Sequence, residues 1–159
     1  MAIYAKIKIK RKNKNKEETC IALLNTGSSL KPISIDLRVL PIPYIIVPKE
    51  LALELGVVLE KLPKKDKYYV DENIYEVCML DLEDKPVVCI DIQYLFIEEG
   101  LDRILLPIEF LMKAKIKLDI ETLSWEHKGK KVKSIFEGKD IRKIDKRLLR
   151  FTPYIDLVE

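Results

Sequence analysis

The chain has 159 residues, 48% of them hydrophobic and 35% charged, enough length and apolar content for one domain that buries a core without staples. Lys and Arg number 29 against 26 Asp and Glu, a net charge of +3, so the strong basic excess of a dedicated nucleic-acid binder is missing. No run approaches the ~18 apolar residues of a membrane helix, and the alternating stretch Met1 to Lys10 builds no apolar leader core.

These features predict a soluble, cytoplasmic protein without membrane contact. Gln occurs once, at Gln93, while Lys, Glu and Ile abound, a composition resembling that of heat-adapted proteins.

Along the chain, Ile3 to Lys10 alternates apolar and polar residues, with Ile3, Ala5, Ile7 and Ile9 on one face. A period of two predicts a half-buried strand. The polar run Arg11 to Glu18 then forms a charged tip, and Thr19 to Leu24 a second, more apolar strand of the same hairpin. A tight polar turn, Asn25-Thr26-Gly27-Ser28-Ser29, follows at once. Leu30 to Val47 is interrupted by Pro32, Pro41 and Pro43 and ends at Pro48. Because Pro cannot donate to a ladder, edge strands or an extended surface connection are expected there.

Pro48 to Gly56 predicts a short helix, with Pro in the first turn and Gly in the left-handed position after the last. Tyr68 to Met79 and Pro86 to Ile97 read as strands joined through Asp81-Leu82-Glu83-Asp84-Lys85. Ile104 to Leu106 reads as a buried strand, Pro107 opens a second short helix over Ile108 to Ala114, and Ile116 to Trp125 forms a closing hairpin. Beyond Trp125 lies a basic stretch, His127 to Lys133, expected to be a solvated face. Next comes a helix capped by Asp140, with Ile141, Ile144 and Leu148 on one side, and a strand-like end from Phe151 to Val158.

Cys20, Cys78 and Cys89 all sit in apolar, strand-like runs with no C-x-x-C pairing. They read as buried thiols, with one disulfide between two of them as the alternative. His127 has no Cys or His at ligand spacing, so no metal site is expected there.

Four elements in order carry a family resemblance over residues 3–125. Ala22-Leu23-Leu24-Asn25-Thr26-Gly27-Ser28 resembles the apolar-apolar-Asp-Thr-Gly-Ala/Ser loop of retroviral-type aspartic proteases, the retropepsins. Val47 to Val57 resembles that family's Pro-x-x-Leu-Ala-x-x-Leu-Gly segment. Ile104-Leu105-Leu106-Pro107-Ile108-Glu109-Phe110-Leu111 is similar to its Leu-Leu-Gly-x-Asp-x-Leu element, and Ile116 to Asp119 with Leu123 fits the closing hairpin. The fold this implies is mainly β: a retropepsin-like acid-protease barrel subunit with short helices, plus an α/β C-terminal extension. Residues 1–125 would be the protease-like domain, with 30–47 an insertion. Residues 126–159 would pack on the core or on a partner subunit.

The resemblance also implies a chemistry. Each subunit of a retropepsin supplies one Asp, and two carboxylates sharing a proton across a two-fold axis activate water. Asn25 occupies that position here, Thr26 the place of the hydroxyl linking the two loops, and Gly27 the tight turn; Ser28 and Ser29 would border the substrate. A neutral amide is no general base, so the expected product is an inactive homodimer without cofactor or metal, binding an extended peptide or an unfolded segment. The alternative is an aspartic endopeptidase in which Asp was replaced by Asn to abolish cleavage. Four departures favour natural loss, among them the insertion directly after the active loop, Leu30 to Ile46. Pro107 stands for Gly, Glu109 stands for Asp, and the expected flap, Lys67 to Ile90, contains no glycine.

Overall fold

A computed structural model describes residues 2–24, 42–137 and 141–152. Twelve strands and two α-helices follow one another among them: β1 (Tyr4–Arg11), β2 (Lys16–Leu24), β3 (Tyr44–Pro48), α1 (Lys49–Glu54), β4 (Lys64–Lys65), β5 (Tyr68–Asp71), β6 (Tyr75–Leu80), β7 (Pro86–Ile92), β8 (Tyr94–Glu98), β9 (Ile104–Leu106), α2 (Ile108–Lys113), β10 (Ile116–Asp119), β11 (Ser124–His127) and β12 (Lys130–Lys133). Nine strands form one mixed sheet in the order β4-β5-β8-β3-β9-β2-β1-β6-β7, and β10-β11-β12 form a second. The mainly β architecture with short helices that the sequence implies is the one observed.

The alternation in β1 sets the layering. Ala5, Ile7 and Ile9 are buried in the main core, and Lys6, Lys8 and Lys10 take the other face. Ile45, Val47, Leu51, Leu55, Tyr75, Phe110 and Trp125 join that core. A fully buried side chain of this size contributes about 1.5–3 kcal/mol over an exposed one.

β3 departs from the sequence expectation. It is no edge or surface connection but a fully buried strand, parallel to β8 on one side and bonded to β9 on the other. The prolines bracket it: Pro43 precedes the ladder and Pro48 closes it, leaving Tyr44 to Val47 with every N–H available.

α1 ends as expected. The Gly56 N–H bonds the Leu53 carbonyl and the Val57 N–H bonds the Ala52 carbonyl, both at 3.0 Å, with Gly56 at φ +80°. That is a Schellman closure. An added Cβ would meet the Lys16 side chain at 3.3 Å. Gly56→Ala is therefore expected to cost about 1–2 kcal/mol from left-handed strain, read as a lower midpoint in urea. A midpoint equal to that of the parent chain would show that the turn relaxes.

The stretch after β12 lies against the outer face of β1 and β2. The Tyr4 N–H bonds Ser134 Oγ at 2.9 Å, the Ile135 N–H bonds the Tyr4 carbonyl at 3.1 Å, and Phe136 meets Tyr4 edge-on. Ile144, Leu148 and Leu149 pack on the same cluster. The helix expected here is replaced by two single 3-10 turns, Ile141–Lys143 and Leu148–Phe151; Asp140 lies outside the described residues. Asp145 stands between them, its carboxylate accepting the Arg147 N–H at 2.9 Å, a local bond that competes with helix continuation.

The cysteine reading needs one correction. Cys78 and Cys89, directly opposite on β6 and β7, are joined in a disulfide, and only Cys20 is the buried free thiol expected. Burial pushes the Cys20 thiol up to about 12, which leaves it an inert core residue. Among the described residues no helix is long and apolar enough to cross a membrane.

Candidate functional site

Asn25, Thr26, Gly27, Ser28 and Ser29 lie outside the described residues, as do 30–41; the structure describes the frame from which their loop departs. β2 carries the chain to Leu24, which is buried, and its N–H bonds the Ile3 carbonyl at 3.0 Å. β9 runs parallel beside it with Ala22 opposite Ile104 and Leu24 opposite Leu106. Two buried strands thus end side by side, one running into the Asn25 loop and the other into Pro107 and α2. A turn launched from such a pair starts from a fixed position, because both strands are held by ladder bonds and core packing.

On the face away from the main core, one cross-strand row runs Leu23, Leu105, Ile46, Phe96, Val70 over β2, β9, β3, β8 and β5. Tyr44 meets Phe96 edge-on with centroids 5.0 Å apart, Tyr68 does so at 6.3 Å, and Tyr94 stacks on it at 6.2 Å. β-branched and aromatic side chains in direct opposition are the packing unit of a sheet, and here they brace the strands beside the loop.

Behind that row sits a polar pair the sequence does not disclose. Tyr44 is buried and hydrogen-bonds Glu109, a residue of the first turn of α2. Burial, then the Glu109 charge and the bond to it, push the Tyr44 phenol above its usual range. The phenol stays protonated and donates to Glu109. Glu109 is only 4% exposed, and its Oε2 has no hydrogen-bond partner among the described residues. Burial to this degree sets Glu109 apart from an ordinary surface acid at a helix start. Tyr44 and Glu109 are far apart in sequence, and the sole hint in the sequence is a Glu in an otherwise apolar run.

The stretch at the position of the expected flap is part of the main sheet. β5 and β6 are joined by three residues, and Asp71 locks the link. Its carboxylate accepts the Asn73 N–H at 3.0 Å, the Asn73 Nδ2 at 2.6 Å and the Tyr75 hydroxyl at 2.6 Å. The β6–β7 hairpin is cross-linked by Cys78–Cys89, and Asp81 Oδ1 gathers the Glu83 and Lys85 N–H groups at its tip, both at 2.9 Å. Those bonds hold the Asp81 carboxyl below its usual range. Asp84 pairs with Lys6 of β1. The glycine-free composition fits this: no hinge is used where the backbone is pinned at both ends.

No protein-family model matches the sequence, and no curated protein matches it. Among solved structures, the chain is similar to the retroviral protease-like domain of Ddi1 from Leishmania major, with 9% identity and a TM-score of 0.55, over 91% of this chain and 99% of that one. At that identity the likeness speaks for the fold alone: this chain has the fold of a retroviral protease-like domain.

Proposed function

We propose that the chain is a cytoplasmic, aspartic-protease-like homodimer that has lost its catalytic carboxylate and uses the remaining cleft to bind an extended peptide or unfolded segment. The observation that carries this reading is the position of Asn25. It directly follows the buried end of β2 beside β9, in a chain with the retroviral protease-like fold. In a symmetric pair both copies present an amide, so no carboxylate is left to share a proton or polarise water. General acid–base help of about 10²–10⁴-fold is lost with it. Two Asn25 amides can still bond across the axis, amide to carbonyl, and Thr26 keeps a hydroxyl for the neighbouring loop. Peptide capture follows from strand addition, in which backbone bonds supply affinity to a segment of any sequence. The pinned β5–β6 link and the cross-linked hairpin support a binding role, because neither has the freedom a closing flap needs.

A second reading, an aspartic endopeptidase disarmed by one replacement, is favoured by the otherwise intact Thr26-Gly27-Ser28. One experiment separates them. The chain and Asn25→Asp are assayed side by side on denatured protein from acidic to neutral pH, with mass measured by light scattering. The expected result is a dimer, no cleavage by either form, and binding of denatured protein by both. Cleavage by the Asp variant alone, blocked by a transition-state-mimicking inhibitor, would establish the second reading. A monomeric mass would overturn both.

A further inference from the structure

The β6–β7 hairpin, used above only for its cross-link, also carries a cluster of ligand-type groups. Val77 and Met79 face the core, so Glu76 and Cys78 take the outer face of β6. Cys89 is directly opposite Cys78 and Asp91 is directly opposite Glu76. The register therefore draws four ligand-type residues into a two-by-two block. A carboxylate oxygen of Glu76 and the sulfurs of Cys78 and Cys89 lie within 4.8 Å of one another, and Glu76 Oε1 is 3.8 Å from Cys78 Sγ. Cys78 is buried, Glu76 half-buried and Cys89 exposed, so the block has a floor and an open mouth. On the adjoining strand Lys8 is opposite Cys78 and Lys10 opposite Glu76.

We propose that, once the disulfide is reduced, Glu76, Cys78 and Cys89 form a site for a thiophilic divalent cation, with zinc the best match. Two thiolates and a carboxylate are the ligand types that such an ion takes in tetrahedral geometry, and the exposed mouth leaves the fourth position to water. Asp91, opposite Glu76 and held by Lys12 at 3.0 Å, is a reserve ligand on the same face. Two thiolates, a carboxylate and a divalent cation sum to one negative charge, and the neighbouring lysines complement it. The opening step balances with a dithiol as reductant. Its thiolate attacks the exposed Cys89 sulfur and Cys78 leaves as thiolate. The second thiol then displaces Cys89, so two electrons pass to the pair and the reductant becomes a disulfide. Cation binding releases to water whatever thiol protons remain. The hairpin keeps its place without the cross-link, because β6 is also bonded along β1 from Arg11–Tyr75 to Lys6–Leu80.

Cobalt(II) titration of the full chain tests this, with a phosphine as reductant; the phosphine takes its oxygen from water and leaves no competing thiol. The reduced chain is expected to bind one cobalt with a sulfur-to-cobalt absorption band that zinc abolishes, while the oxidised chain shows none. Cys89→Ser should lose the band, Glu76→Gln should shift the titration to higher cobalt, and Cys20→Ala should leave it unchanged. The proposal is overturned if the reduced chain, with its far-ultraviolet dichroism retained, gives no band. A band that survives in Cys89→Ser, or collapse of the fold on reduction, overturns it equally and needs no second variant.

Discussion

Phe96→Ala is expected to cost about 3–5 kcal/mol of stability. Phe96 is fully buried on β8, between the parallel neighbour β3 and the antiparallel neighbour β5. Its ring is the common partner of Tyr44, Tyr68 and Tyr94, so truncation leaves a cavity that three other rings line. Those rings cannot collapse into it cheaply, because Tyr44 is tied to Glu109 and Tyr68 sits in the β5 ladder. The cost is thus expected at the upper end for an aromatic truncation. Urea denaturation of Phe96→Ala beside Leu53→Ala checks it. Leu53 is half exposed on α1, and its replacement should stay within about 0.5 kcal/mol of the parent. A loss below about 1 kcal/mol at Phe96 would mean that the aromatic row does not brace the strands flanking the Asn25 loop.

Asp71→Ala should be the next most damaging change, at about 2–4 kcal/mol. Three donors converge on this carboxylate, and hydrogen bonds to a charged group contribute roughly 1.5–3 kcal/mol each before the shared cost of ordering them. Removing the acceptor strands the buried Tyr75 hydroxyl, the more expensive half of the loss. Asp71→Asn keeps an acceptor and is expected to lose less. Tyr75→Phe combined with Asp71→Ala in a double-mutant cycle gives their coupling, expected to exceed about 0.5 kcal/mol for groups in contact. Burial first, and then the bond to Asp71, push the Tyr75 phenol above its ordinary value. The sign follows: that contribution is fully present below the unfolded phenol value of about 10 and fades only as pH rises past it. Ultraviolet titration should therefore find Tyr75 un-ionised above the ordinary phenol value of about 10. An Asp71→Ala chain with parental stability would remove the basis for calling the β5–β6 link locked.

The parts of the fold that were legible in the sequence share one property: each is decided within a few residues. The alternation of Ile7 and Ile9 with Lys6, Lys8 and Lys10 decides which face of β1 is buried. Pro48 and Gly56 bound α1 because one cannot donate and the other accepts a left-handed φ. Proline counting failed at β3 for the same local reason applied too broadly. Four prolines in a stretch suggest an edge, yet where they fall decides, and Tyr44 to Val47 contains none. The expected helix after Asp140 failed where Asp145 offered its own backbone a competing bond.

By itself the sequence determined the mainly β class, both short helices, the closing hairpin and the Asn in the Asp-Thr-Gly-like turn, since period, punctuation and residue identity are local quantities. Tertiary structure alone decided which strands became neighbours. It set Cys78 against Cys89 through the register of β6 and β7, brought Tyr44 to Glu109, placed β3 in the middle of the sheet and pinned Asp71 under Tyr75. Each of those contacts depends on a strand order or register set by the burial of a whole face, and a one-residue slip would turn every side chain of the strand to the other side.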